Sequence, residues 1–130
     1  MTDLAALKTA NAKRWANAKV TRRAEFVFAA RRLVLAKARY RAVEAKTGVP
    51  WYFIAVVHER ECSQDWNGNL AQGDPWNKVS VHVPAGHGPF TSWERAAEDA
   101  LVNCPPYAAR NKDWSVGGLI TKLEEYNGLG

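Results

Sequence analysis

Apolar and polar positions along the chain repeat with helical spacing in five stretches, broken by one irregular segment. Residues 3 to 19 are rich in Ala and Lys, with Leu4, Leu7 and Trp15 as the larger apolar groups and Thr2 or Asp3 able to cap the first turn. This pattern predicts a weakly amphipathic helix that packs loosely. From about 22 to 47, Ala29, Leu33, Ala36, Tyr40 and Val43 alternate in steps of four and three. That spacing lines them along one face and turns the intervening Arg and Lys to water. Gly48 supplies a stop, and Pro50 suits the first turn of the next helix. The helix from 50 to 61 is apolar on every side through Trp51, Tyr52, Phe53, Ile54, Ala55, Val56 and Val57, as a central core element must be.

Residues 62 to 90 change character. "NGNLAQGDPWNKVSVHVPAGHGPF" is dense in Gly, Pro and Asn, with turn signals at "NGN" and "QGDP" and one alternating run, Val79 to Val83, that predicts a short strand. A small loop-and-hairpin lobe is expected here. Helical pattern resumes at Thr91, three before Glu94 in capping-box spacing, and ends at "CPPY"; a last helix, roughly 115 to 126, starts after Asp113 and stops at "NGLG". With no repeat and no linker, residues 1–130 read as one domain, mainly α in an α+β arrangement: N-terminal helices (1–47), core helix (50–61), lobe (62–90) and C-terminal helices (91–130).

At 130 residues, with 47% hydrophobic content and six tryptophans, the chain has enough apolar material for a core. The net charge of +5 favours a polyanionic partner: nucleic acid, anionic membrane or cell wall. The first twenty-five residues lack the apolar run of an export signal, so synthesis in the cytoplasm is expected. The longest apolar run, "VPWYFIAVV", is about half of the ~20 residues a bilayer crossing needs, so no stable membrane insertion is expected. Cys62 and Cys104 then read as reduced thiols.

The chemistry concentrates in "VVHERECSQDW", residues 56 to 66, where the apolar helix runs into His58, Glu59, Glu61 and Trp66. A carboxyl group half-buried against aromatics has its pKa raised and can stay protonated near neutrality, as a general acid requires. Glycoside cleavage needs such an acid and a second group that activates water or stabilises positive charge. Asp74 in "QGDPW" is the candidate for the second role. Periodicity does not choose the acid: Glu61 shares a face with Ile54, Val57 and His58, Glu59 with Tyr52, Ala55 and Val56, and both faces are apolar.

"HERECS" resembles the Glu-then-small-residue signature that ends the catalytic helix of lysozyme-like proteins, in which the acid directly precedes the small residue. The resemblance points to Glu61, followed by Cys62. It extends over residues 50 to 128, which are similar to a phage and prophage group marked by a His three before the acid, a "GDP" turn, a "VHVPAG" stretch and a closing "EYNG". Phage-type muramidases place a Ser or Thr six residues beyond their Asp, a step that Asp74 and Ser80 reproduce.

The resemblance implies a lysozyme-like fold and a peptidoglycan hydrolase of endolysin type, needing no cofactor and acting as a monomer. Such a protein reaches the wall with help from a membrane-permeabilising partner, and its chain continues beyond "YNGLG". In this scheme Glu61 protonates the glycosidic oxygen, Asp74 activates or orients water, and Ser80 helps to hold it. His58 hydrogen-bonds Glu61 from one turn earlier, Tyr126 and Asn127 lie near the cleft floor, and Trp66 and Trp76 stack on sugar faces.

Plainer roles stand beside these. Asp74 is a common turn residue, His58 suits a satisfied core position, Trp66 and Trp76 suit lobe core, and Tyr126 with Asn127 suits a helix C-cap. A lytic transglycosylase, which uses one Glu and closes the sugar on itself, a chitinase and a non-catalytic wall-binding module are the alternative functions. His58, Glu61, Cys62, His82, His87 and Cys104 offer metal-ligating atoms, but without HExxH or paired CxxC spacing no metal is expected. Nucleic-acid binding is disfavoured, because the helix after Gly48 is too apolar for a major groove.

Overall fold

The computed structural model describes residues 2–128. Its elements are α1 (Leu4–Ala16), α2 (Arg23–Leu35), α3 (Lys37–Thr47), α4 (Trp51–Cys62), α5 (Trp93–Asn103), a 3₁₀ turn (Ala108–Arg110) and α6 (Val116–Tyr126). Helix α4 lies at the centre, with α2 and α3 against one side, α6 against another, and α5 reached through α3. The core joins Tyr40 and Val43 of α3, Val49 of the connection after it, Phe53, Ile54 and Val57 of α4, Leu70 of the lobe, and Trp93 and Leu101 of α5.

Local chemistry sets most helix ends. Asp3 caps α1 by accepting the Ala6 N–H at 3.0 Å, and Gly48 ends α3 with φ +77°, a conformation glycine enters without a Cβ penalty. At α5 the cap is Ser92, which accepts the Arg95 N–H at 3.1 Å, one residue later than the expected Thr91. Glu94, expected to close the capping box, instead pairs with Arg39 at 2.7 Å. Ser115 caps α6, and the Asp113 carboxylate in turn accepts the Ser115 hydroxyl at 2.6 Å.

The single helix expected from 22 to 47 is broken at Ala36, although Ala29, Leu33, Ala36, Tyr40 and Val43 all turn inward as their spacing predicts. No Gly or Pro marks the break. Packing separates the two parts: α3 buries Tyr40 and Val43, whereas α2 has no fully buried residue and carries Phe26, Phe28 and Leu35 exposed.

The expected strand from Val79 to Val83 does not form, and no strand occurs among the described residues. Its N–H groups have other partners. Those of Val81 and His82 both go to the Asp74 carboxylate, and Ser80 exchanges backbone hydrogen bonds with Gly86 and His87 across a tight loop. Pro84 has no donor to offer a ladder. The lobe is therefore a set of turns, with one isolated bridge between Gly68 and Pro75.

Helix α1 buries only Asn11, which donates to Thr121 of α6 at 3.0 Å. The two helices approach closely at Gly117, where a Cβ would lie 2.3 Å from the Lys8 carbonyl oxygen. Gly117→Ala therefore has to push α1 away and strain the Asn11–Thr121 bond, at a cost of roughly 1–3 kcal/mol. Urea denaturation should show a lower midpoint for this variant; an unchanged midpoint would mean that α1 gives way freely. Among the described residues no helix is long and apolar enough to cross a membrane.

Candidate active site

The C-terminal end of α4 and the lobe that follows it form one unit. Ser63 and Gln64 take left-handed backbone conformations, with φ 49° and 64°, and reverse the chain. The Cys62 thiol then donates to the Asn69 carbonyl at 3.3 Å. Gly73, at φ +81°, rests so close to the end of the helix that a Cβ there would lie 2.9 Å from the Glu61 carbonyl oxygen. A side chain at 73 is excluded both by that approach and by the backbone conformation.

These contacts separate the two glutamates that periodicity left equivalent. The Glu59 carboxylate accepts a 2.5 Å hydrogen bond from buried Gln64, whose amide also reaches the Ala29 carbonyl. Among the described residues the Glu61 carboxyl has no hydrogen bond and no ion pair; it is half-buried, and burial raises its pKa against a smaller opposing pull from Arg60. Tyr126 lies close enough for the Glu61 charge to help push its own pKa upward, after burial. Its hydroxyl is buried without a partner while its ring packs 6.0 Å from that of Phe53. Burial of this kind moves a carboxyl toward the range in which a general acid holds its proton.

Asp74 has the opposite environment. Its Oδ2 accepts the N–H groups of Val81 and His82 at 2.9 Å each, and its Oδ1 lies 2.6 Å from His82 Nδ1. The hydrogen bonds from His82 and Val81 outweigh burial and hold the carboxyl below its usual range. Ser80 donates its hydroxyl to the Pro84 carbonyl at 2.9 Å and accepts the His87 N–H at 3.0 Å. Both residues thus shape the loop from 80 to 87, and each retains spare acceptor capacity.

Asp74→Asn removes the charge that strengthens the hydrogen bonds from the Val81 and His82 N–H groups and should cost roughly 1–3 kcal/mol. Because the folded pKa lies below the unfolded 3.8, the wild-type advantage is complete above that value and disappears as pH falls through the folded pKa. Paired urea melts at neutral and strongly acidic pH check both magnitude and sign.

His58 does not reach Glu61. It is fully buried, with Nε2 2.9 Å from the Asp65 carbonyl and Nδ1 2.7 Å from the Tyr40 hydroxyl. Its position one turn before Glu61 is occupied with core contacts, which is the plainer of its two expected roles. Trp66 is likewise engaged: its ring lies 5.4 Å from Tyr40, 4.4 Å from His58 and 4.7 Å from Trp93, with the Arg39 guanidinium 4.0 Å above it. Trp76 donates its indole N–H to the Trp66 carbonyl at 2.7 Å and packs against the core. Both rings contribute to the lobe core, and both remain partly exposed. Asn127 is the exposed C-cap of α6.

Cys62 and Cys104 are both free thiols. Two surface depressions, one of about 430 Å³ over Tyr52, Val56 and Leu123 and one of about 350 Å³ over Phe90, Asp99 and Asn103, do not include Glu61. Asp99, which pairs with His87, carries no signal in the sequence pattern, and the pairing of His82 with Asp74 is not visible there either. The only advance signal was the crowding of histidines into a Pro- and Gly-rich stretch. No protein-family model, no curated protein and no solved structure matches the chain.

Proposed function

We propose that this protein is a peptidoglycan-cleaving glycosidase of lysozyme-like, endolysin type, in which Glu61 is the general acid. The observation that carries the reading is the Glu61 carboxyl itself: half-buried at the end of the central helix, raised in pKa and without a partner among the described residues. Such a group is costly to keep and is found where a proton has to be delivered. The net charge of +5 suits an anionic wall polymer.

In the hydrolytic version, Glu61 protonates the glycosidic oxygen while Asp74, already ionised, orients water through its remaining acceptor capacity. Ser80 assists through its free lone pair. A second version is favoured by the same geometry: because Asp74 and Ser80 are already hydrogen-bonded within their loop, Glu61 can act alone, as in a lytic transglycosylase, with the sugar closing on itself.

The test is release of soluble fragments from purified peptidoglycan, read by reducing-sugar assay and mass spectrometry. Fragments that have gained water support the hydrolase, and fragments lighter by one water support the transglycosylase. A folded wild-type protein that releases neither from any wall preparation, while still sedimenting with it, would leave only a wall-binding module.

A further inference from the structure

The loop beyond Ser80 meets the C-terminal end of α5 and brings together three different donor atoms. His87 Nδ1 lies 2.8 Å from Asp99 Oδ2, and the Cys104 sulphur lies 3.7 Å from each of them. We propose that His87, Asp99 and Cys104 form a binding site for a divalent transition-metal ion of the zinc type, with the fourth position open to water.

The separations suit a tetrahedron. Metal bonds of about 2.0 Å to nitrogen and oxygen and about 2.3 Å to sulphur place sulphur about 3.5 Å from either lighter ligand, and nitrogen about 3.3 Å from oxygen. The two sulphur edges are near that geometry, and the third has only to open by about half an ångström as the His87–Asp99 hydrogen bond gives way to the ion. A mixed nitrogen, oxygen and thiolate set selects zinc, cobalt and their neighbours over magnesium or calcium, which take oxygen ligands.

The surroundings hold the ligands in place. The other oxygen of Asp99 accepts the Asn103 side-chain amide at 2.9 Å. The backbone of His87 is tied to Ser80 on both sides, its N–H to the hydroxyl and its carbonyl to the Ser80 N–H. Partners of this kind fix ligand orientation. Cys104 is buried, while His87 and Asp99 keep 28% and 17% of their side chains exposed, which leaves an entry path.

Charge also balances. A carboxylate and a thiolate neutralise the ion, and the last turn of α5 has no basic residue to offset its negative end. On binding, the Cys104 thiol gives its proton to solvent, and the imidazole carries its proton on Nε2. The bound ion would pin the loop from 80 to 87 to α5, a junction the isolated turns hold only by hydrogen bonds.

The test uses the full chain, stripped of metal and titrated with Co²⁺, then with Zn²⁺ in competition. One cobalt per chain is expected, with thiolate-to-metal absorption in the near ultraviolet that zinc displaces. Cys62→Ser should retain the band and Cys104→Ser should lose it. His87→Gln and Asp99→Asn should each weaken zinc binding by at least about tenfold, and these two variants decide the matter if Cys104→Ser fails to fold. Absence of the band in the wild type, or its loss in Cys62→Ser with retention in Cys104→Ser, would overturn the site. None of these readouts depends on glycan cleavage.

Discussion

Replacing Glu61 with Gln should lower glycan cleavage by roughly a hundredfold to ten-thousandfold, the range that a positioned general acid contributes, without loss of the fold. Gln keeps the shape and polarity of the side chain but has no proton to deliver. The stability effect carries a distinctive sign. Burial raises the folded-state pKa of Glu61, so the stability it contributes is present below the unfolded value of 4.5 and is lost as pH rises through the folded one. Above the folded pKa the wild type carries a desolvated charge that Gln lacks, and below it a neutral carboxyl that Gln matches, so the variant should melt no lower than the wild type. Fragment release and thermal melts at neutral pH measure the two effects together. Full activity in Glu61→Gln would sink the proposed chemistry, and a large drop in melting temperature would make Glu61 a structural residue.

His58→Ala should produce the largest loss of stability. The buried Tyr40 hydroxyl and the Asp65 carbonyl lose their partner, and a cavity opens beside Trp66 and Trp93. Together these cost roughly 3–4 kcal/mol, a fall in melting temperature of roughly 10–15 °C for a chain of this size. The pH dependence follows from the tautomer. A carbonyl can only accept, so Nε2 donates to Asp65, and in the neutral ring Nδ1 accepts the Tyr40 O–H.

Burial, with Arg39 adding to it, lowers the His58 pKa below 6.5, against the backbone of Asp65 and the charges of Asp65 and Glu59. The unfolded chain then takes up a proton that the folded chain refuses. Stability present above about pH 6.5 is lost as pH falls toward the folded pKa, well before the carboxylates of Asp74, Glu94 and Asp113 begin to lose theirs. His58→Gln, which cannot titrate, should be less stable than the wild type at pH 7.5, and the gap should narrow as pH falls toward 5. Chemical denaturation at both values checks this; a gap that does not change with pH would mean that His58 takes up its proton equally in the folded and unfolded chain.

Much of the scaffold was legible because it depends on local chemistry. The spacing of Ala29, Leu33, Tyr40 and Val43, the all-round apolarity of 51 to 57, the cap at Asp3 and the stop at Gly48 each follow from neighbours within a turn or two. The break at Ala36 was not legible, since nothing at that position differs from a helix interior until α3 is pulled onto α4 and α5. Nor was the loss of the strand at 79 to 83. Alternation predicted one buried face, but Val79, Val81 and Val83 all stand exposed and only Ser80 is buried; a strand also needs a partner, and the Asp74 carboxylate took the N–H groups of Val81 and His82.

The candidate site divides along the same line. By itself the sequence determined that an apolar helix ends in charge beside a Gly- and Pro-rich segment, because composition and helical period are properties of short stretches. Only the tertiary structure decided that Gln64 occupies Glu59 and leaves Glu61 without a partner, that His58 turns to Tyr40, and that His87 reaches Asp99 and Cys104. Each of those outcomes depends on which distant group arrives within about 3 to 4 Å of a polar atom. That distance is set by how the helices and the lobe pack, and periodicity contains no information about it.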